Sequence, residues 1–534
     1  MLDCRAVPLG DHAPLQPFIE AEADVMRISR SIFSALCAAL ITLALIPTIA
    51  SAIPRDVVLS RGMVWVRMNT PYSQYHYAYE NGSRVPLPGA QAGQVGYRTD
   101  CSGFVSMCWN LRYSDGRPIN LTTASLDSPN YSVPITKAEL QPGDIMLRAS
   151  DKVVGDGHAV VFVRWDDAAR TKYWTLEEAG SNQGSITKRR TYQESLGDYY
   201  KPYRYRYISP EYDDVQTRVQ GFDRYETAAA AVEMSFPAST TVSVPTIVIA
   251  SGETWPDALG GAALAGAHEG PLLLTARTNL PPSTRAVIAR LKPRKVLLLG
   301  GTATVNEVVE SQIASMGIPV TRIGGANRYA VSRSVATSAV VQARNRGRAV
   351  DTAYLATGLD FPDALAVSPI SAKTRRPILL TGTDALPAET LGTIKALRLT
   401  NVVILGGTGS VSGRVESELV SAGVKVSRIG GIDRYEAAIR IAHHGAEPAV
   451  GMSWKSLGLA SGNAFADALS GGVAQGQSGS GSMILLTRGD RLTDGVAIEL
   501  RDHRSAIGLL RVFGGSATVQ PQTRAAAAAV LRAK

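Results

Sequence analysis

One arrangement constrains the fold of this chain more than any other: four sequence blocks that recur three times in a fixed order. "GFDRYETA", "GANRYAVS" and "GIDRYEAA" stand roughly 105 residues apart, too long a period for a solenoid repeat and long enough for a small domain. "ASGETWPDAL", "ATGLDFPDAL" and "ASGNAFADAL" follow them, then "PLLLT", "PILLT" and "MILLT", then "VLLLGGTATV", "VVILGGTGSV" and "RVFGGSATV". Within each unit, short unbroken apolar runs such as "TIVIASG" and "KVLLLGG" predict strands buried on both faces, as in parallel sheets. Stretches of helical period lie between them, for example "TVNEVVESQIASMG" with its terminal glycine. Each unit is therefore expected to form an open parallel α/β sheet. Asp223 and Asp433 are predicted helix N-caps, with Glu226 and Glu436 completing capping boxes; Asn327 caps without the glutamate.

The repeats carry little chemistry of their own. "LLLGG" ahead of a helix suits an anion, but no G-x-G-x-x-G or G-K-[ST] appears, so a nucleotide site is weakly supported. Asp257, Asp363 and Asp467 sit at helix starts, as do Arg224, Arg328 and Arg434. Caps and internal ion pairs outweigh ligand contacts as the reading of all six. No histidine or paired carboxylate recurs in all three units, which argues against an enzyme there. The basic loops "KPRK", "RNRGR" and "KTRR" are either a polyanion-facing surface or ordinary solvated loops.

Ahead of the repeats the composition changes across an acidic joint, "SPEYDDVQT", and aromatics become frequent. From Met26, Arg27 and Arg30 precede an apolar run that closes on Ala50-Ser51-Ala52, the pattern of a secretion signal cleaved after Ala52. Residues 1–25 are acidic and sit awkwardly before such a signal, so Met26 is the expected start. Without residues 1–52 the chain has 52 Lys and Arg against 41 Asp and Glu, a net charge of +11. An exported basic protein suits an anionic wall polymer or acidic lipid better than nucleic acid, and no concentrated basic helix supports DNA reading.

Cys101 and Cys108 are the cysteines left after cleavage. Seven residues apart on a helix, their Cα atoms are about 10 Å apart, beyond the roughly 7 Å reach of a disulfide. Cys108 reads as a small buried hydrophobe. Cys101 differs, because Thr99 or Asp100 can cap the helix that begins "CSGFVSMCWNL". That places its sulfur in the first turn, where the helix dipole favours a thiolate. His158 in "GDGHAVVFVRW" is the best placed base, and "KYWTLEEAG" ends a second strand in Glu177 and Glu178. Either carboxylate can orient the imidazole in a Cys–His–acid set; strand alternation alone does not choose between them. On spacing alone, catalysis and a structural helix-start cysteine remain level.

"YRTDCSGFV", "LQPGDIML" and "GHAVVFV", in that order, resemble the motifs of NlpC-type cell-wall cysteine peptidases over roughly residues 60–207. The resemblance implies an α+β papain-like domain with Cys101 as nucleophile and His158 as general base. It also implies Tyr97, Asp100 and Ser102 holding the stem peptide of peptidoglycan, and it favours Glu177 as third member. Many relatives carry His, Asn or Gln at that third position. The glutamate leaves the bond open between the family's γ-D-glutamyl–diamino acid amide and other wall amides. The oxyanion is expected to meet backbone N–H groups at the helix start and the Tyr97 hydroxyl. "PYSQYHYAY" is available to line the cleft, and "YRYRY" to close the sheet.

The three repeats closely resemble the tandem cell-wall-binding repeats of Gram-positive surface proteins over roughly residues 216–534. This resemblance implies pseudo-threefold packing and non-covalent attachment to anionic wall glycopolymer, with Arg224, Arg328 and Arg434 as candidate contacts. In the third unit "NAFADAL" lacks the usual proline, which is expected to weaken one contact surface. The expected organisation is an N-terminal extension (1–25), signal peptide (26–52), cysteine peptidase domain (53–207), linker (208–215) and repeats at 216–321, 322–427 and 428–534. The expected function is a secreted peptidoglycan hydrolase of the Gram-positive cell surface, needing no cofactor or metal and, after cleavage, no membrane. The alternative is a non-catalytic surface-binding or adhesion protein.

Overall fold

The structure is a computed structural model that describes residues 53–533 apart from 149–156, 168, 181, 193–199, 210–213, 238–243 and 480. The expected extension and signal peptide lie outside the described residues.

The N-terminal unit is built on an antiparallel sheet. Its strands are β1 (Ser132–Pro134), β2 (Ile145–Arg148), β3 (His158–Trp165), β4 (Lys172–Glu178), β5 (Ser185–Thr191) and β6 (Lys201–Tyr205), in the order β1-β6-β2-β3-β4-β5. Helices α1 (Arg55–Met68) and α2 (Cys101–Cys108) cover one face. Ala159, Val161 and Val163 of β3 join Trp65, Phe104, Met107 and Leu176 in that core. Val160 and Phe162 pack on Leu140, Met146 and Tyr173 on the other face. Burial on both faces explains why β3 reads as an unbroken apolar run. All eight residues of α2 are buried, so Phe104 and Met107 each contribute about 1.5–3 kcal/mol by leaving water. The "YRYRY" strand is interior, since β6 pairs with both β1 and β2.

In the repeat region the described strands form three four-stranded parallel sheets. They are β7 (Gln216–Val219), β8 (Thr246–Ser251), β9 (Leu272–Thr275), β10 (Lys295–Leu299), β11 (Val320–Ile323), β12 (Thr352–Thr357), β13 (Ile378–Thr381), β14 (Asn401–Leu405), β15 (Lys425–Ile429), β16 (Ser453–Ser461), β17 (Ser482–Thr487) and β18 (Leu510–Phe513). The sheet orders are β9-β8-β10-β11, β13-β12-β14-β15 and β17-β16-β18-β7. The last of these joins the two ends of the repeat region. Strand β7, assigned by sequence to the first repeat, pairs in parallel with β18 and completes the third sheet. In each sheet one outermost strand is the one that leads into an "RY" helix, and the β7–β18 pairing closes the repeat region on itself.

Each unit opens with an "RY" helix, α3 (Arg224–Ser235), α5 (Arg328–Asn345) or α7 (Arg434–Ala446), and the helices that follow them, α4 (Gly261–His268), α6 (Pro362–Thr374) and α8 (Phe465–Gln477), pack on one another at the centre. Glycines permit this approach: a Cβ at Gly266 would collide with the Ala372 carbonyl, and one at Gly476 with the Pro369 carbonyl. Trp255, Phe361 and Phe465 meet with ring centroids 6.0 and 6.1 Å apart. The contact includes Phe465 of "NAFADAL", the unit that lacks the proline. The N-terminal unit docks on the ring through Asp56 of α1, 2.8 Å from Arg218 and 3.7 Å from Arg524, with all three side chains at most 6% exposed.

Candidate active site and basic surface

The D-C-S-G block forms the opening of α2 for stated reasons. Asp100 is the N-cap and accepts from the Gly103 N–H at 2.7 Å. Gly103 is required because a Cβ there would strike the Arg98 carbonyl. Arg98 pairs with Asp100 at 2.5 Å and donates to Ser102 Oγ at 2.9 Å. Asp100 and Ser102 thus hold the helix start. Tyr97 is corrected: its ring is fully buried and its hydroxyl donates to the Leu111 carbonyl at 3.0 Å, so it is not a free oxyanion donor.

Cys101 is the first residue of α2 and 5% exposed. The Ala159 and Ser102 backbone groups lie near enough to its sulfur to favour the thiolate, which places the thiol beside the start of β3. The expected thiolate is not what the resting site favours. Burial, then the Asp100 charge, pushes the thiol up to about 11, against the lowering by those backbone groups and Arg98. Cys108 is a free, fully buried thiol; its sulfur lies 3.1 Å from where a Cβ at Gly62 of α1 would stand, as expected of a core residue.

His158 opens β3 and places Nε2 3.4 Å from Glu177 Oε2. The β3–β4 register, Val161 opposite Leu176, puts His158 and Glu177 on one face and Glu178 on the other. Glu177 is fully buried and receives two hydrogen bonds from Arg190 of β5, at 2.9 and 2.6 Å. Burial alone would raise its carboxyl; the His158 hydrogen bond and the Arg190 charge reverse this and hold it below the ordinary value. Tyr200 sets its ring edge-on to His158 at 6.1 Å and lies 5.1 Å from the Arg190 guanidinium. Tyr72, from the aromatic run, is half-buried, and the nearby Cys101 adds to burial in pushing its hydroxyl up. Arg190 and Tyr200 were missed by sequence reasoning. For Arg190 the signal was the antiparallel partner of β4, since "TKRR" sets alternate cations beside "TLEE".

In the repeats, the glycine cradles hold the protein's own carboxylates. Gly300, Gly406 and Gly514 have φ of 96°, 92° and 100°, and a Cβ at each would run into Asp257, Asp363 or Asp467 respectively. The helix-start aspartates therefore fill the space an anion would need. Arg224, Arg328 and Arg434 each donate to the carbonyl of a matching glycine, Gly252, Gly358 or Gly462. These arginines brace the "ASG" turns. The three basic loops instead converge. Arg346 pairs with Glu269 at 2.5 Å, and Arg375 reaches the same carboxylate at 3.9 Å. Burial and the neighbouring Arg348 and Arg346 charges lower the Arg375 pKa. Burial, Lys295 and Arg346 push His268 down to about 4. Lys295, Arg346, Arg348 and Arg375 thus make one positive surface at the seam of the first two repeats.

Three α/β units, paired end to end with internally satisfied glycine turns, define a threefold repeat module. The chain belongs to the Cell wall binding domain 2 (CWB2) family, matched at residues 218–310, 322–416 and 428–524, more than half its length. It is 31% identical over 283 residues to the N-acetylmuramoyl-L-alanine amidase LytC of Bacillus subtilis (strain 168), covering 53% of this chain and 52% of that protein. It is 34% identical over 227 residues to the amidase enhancer of the same organism, covering 42% of this chain and 29% of that protein. The chain thus spans about half the length, or less, of these relatives. Among solved structures, Cwp8 and Cwp6 from Clostridium difficile share the fold. Their TM-scores are 0.51 and 0.50 at 19% and 18% identity, covering 77% and 74% of this chain and 66% and 65% of theirs. Among the described residues, no helix is long and apolar enough to cross a membrane.

Proposed function

We propose that this chain is a secreted peptidoglycan hydrolase of the Gram-positive surface, cutting an amide bond in the wall stem peptide and held on anionic wall polymer by its repeats. The catalytic unit is of the NlpC-type, papain-like class. The observation that carries the reading is one constellation: the Cys101 thiol at the mouth of α2, beside the backbone of the residue after His158, with His158 on buried Glu177. His158 uses Nε2 on Glu177, which leaves Nδ1 to take the thiol proton. The sulfur then bonds to the amide carbonyl carbon, and the C–N bond breaks as His158 returns the proton to the leaving amine. Water, deprotonated by the same imidazole, hydrolyses the thioester and restores the thiol. Because the thiol is held neutral at rest, proton transfer accompanies attack. Glu177, itself fixed by Arg190, orients the imidazole and stabilises its cation.

The likeness to an amidase and to an amidase enhancer supports a wall-related role. Attachment is assigned to the surface of Lys295, Arg346, Arg348 and Arg375, which concentrates cations around one carboxylate, Glu269. Tethering raises the local concentration of wall substrate. The burial of Cys101 favours a second reading, a surface-binding protein whose N-terminal unit is catalytically silent. Release of new amino groups from isolated walls separates the two: the parent should release them and Cys101→Ala should not.

A further inference from the structure

The third repeat carries a side-chain set that the other two lack. His443, in the last turn of α7 (Arg434–Ala446), places Nε2 3.0 Å from Glu499 Oε2. Glu499 lies on α9 (Asp494–Asp502), and His503, one turn on, places Nε2 3.5 Å from the same oxygen. One donor atom from each residue lies within 4.8 Å of the others. Trp454 of β16 stacks on the His503 ring at 3.8 Å and 8°, and meets His443 at 5.4 Å and 62°, so both imidazoles are held in place. The adjacent His444 points away, to Tyr354 and Glu447.

Comparison among the repeats makes the set informative. Counting without gaps from the shared threonines Thr275, Thr381 and Thr487, Glu499 matches Val287 and Thr393, and His503 matches Leu291 and Leu397. All four of those counterparts are buried. Counting from the "RY" arginines, His443 matches Glu233 and Thr337. At the two α9 positions the third unit has therefore exchanged buried Val, Thr and Leu side chains for a carboxylate, 14% exposed, and an imidazole. A half-hidden charge in place of core side chains is costly unless something compensates it.

We propose that His443, Glu499 and His503 bind a divalent transition metal, zinc by donor type. Two imidazoles and a carboxylate form a recurrent zinc set, leaving a fourth position to water. Bonds of about 2.0–2.1 Å at tetrahedral angles put donors about 3.3 Å apart. The 3.0 and 3.5 Å spacings lie close to that, and only the two imidazoles need to draw nearer. His443 is half exposed, so the fourth position opens to solvent. The ion ties α7 to α9 and neutralises Glu499. The sequence concealed the set, because His443 lies on another element, far along the chain from the Glu499–His503 pair.

Equilibrium dialysis of the chelator-stripped full chain against micromolar zinc tests this, with bound metal counted by mass spectrometry. A Cys101→Ser background keeps the candidate catalytic thiol from taking metal. One zinc per chain is expected, lost in both His443→Ala and Glu499→Gln. His443 is half exposed and Gln is nearly isosteric with Glu, and circular dichroism checks that both variants fold. Cobalt in place of zinc should give visible absorption without a thiolate charge-transfer band. No zinc on the parent, equal zinc on the variants, or a thiolate band would each overturn the site.

Discussion

Replacing Glu178 by Gln has a consequence whose size follows from the geometry. Glu178 is fully buried on the helix-facing side of β4, with Ser185 Oγ donating to it. Burial pushes its carboxyl up from 4.5 to about 8; Ser185 pulls it down and the Asp100 charge pushes it up. The folded protein therefore keeps a proton there that the unfolded chain releases near pH 4.5. Stability from this group is full below that pH and is lost as pH rises toward 8. At 1.36 kcal/mol per pKa unit the span bounds the loss at about 5 kcal/mol, and relaxation of a real interior brings it to about 2–4 kcal/mol. Gln accepts the same Ser185 hydrogen bond and carries no charge. The assay is urea unfolding followed by tryptophan fluorescence between pH 4.5 and 8. Trp65, Trp109, Trp165 and Trp174, four of the six tryptophans, belong to the N-terminal unit. Wild type should lose stability relative to Glu178→Gln across this range, with the two meeting at the acid end. Parallel profiles would refute the burial argument.

Other perturbations have equally definite outcomes. Asp56→Ala leaves Arg218 and Arg524 buried without their carboxylate and should destabilise the junction of the two units by about 3–5 kcal/mol, read as a lower unfolding midpoint. Gly266→Ala forces α4 off the Ala372 carbonyl and should cost about 1–3 kcal/mol in thermal unfolding of the ring. Glu177→Gln removes the charge that faces His158 and should lower the rate of amino-group release from walls about 100-fold or more, with chain retention on walls unchanged. Arg346→Glu together with Arg375→Glu should abolish sedimentation with walls, and binding by the parent should weaken steeply with salt.

The repeats were largely legible because each statement about them was made three times over. Apolar runs such as "KVLLLGG" gave the strands, and Asp223, Asn327 and Asp433 cap helices as expected. What stayed hidden was pairing at a distance. No local pattern says that Gln216–Val219 belongs beside Leu510–Phe513, because a parallel partner lies elsewhere in the chain. The candidate site shows the same division. Asp100 as cap and His158 at a strand mouth are local features and were readable. The choice of Glu177 over Glu178 needed the β3–β4 register, and Arg190 needed the β4–β5 pairing. The helix dipole suggested a thiolate at Cys101, but burial and the Asp100 carboxylate act more strongly at that atom. Tyr97 carried the right residue type at a position the fold fills with core.

Hydrolysis of isolated peptidoglycan, followed by mass spectrometry of the released muropeptides, tests the proposed chemistry most directly. The parent chain should produce fragments with a newly freed amine and carboxylate at one stem-peptide bond. Folded Cys101→Ala, still sedimenting with walls, should produce none. Identical fragments from both proteins, or none from either, would leave a wall-binding module without the cysteine chemistry assigned to it.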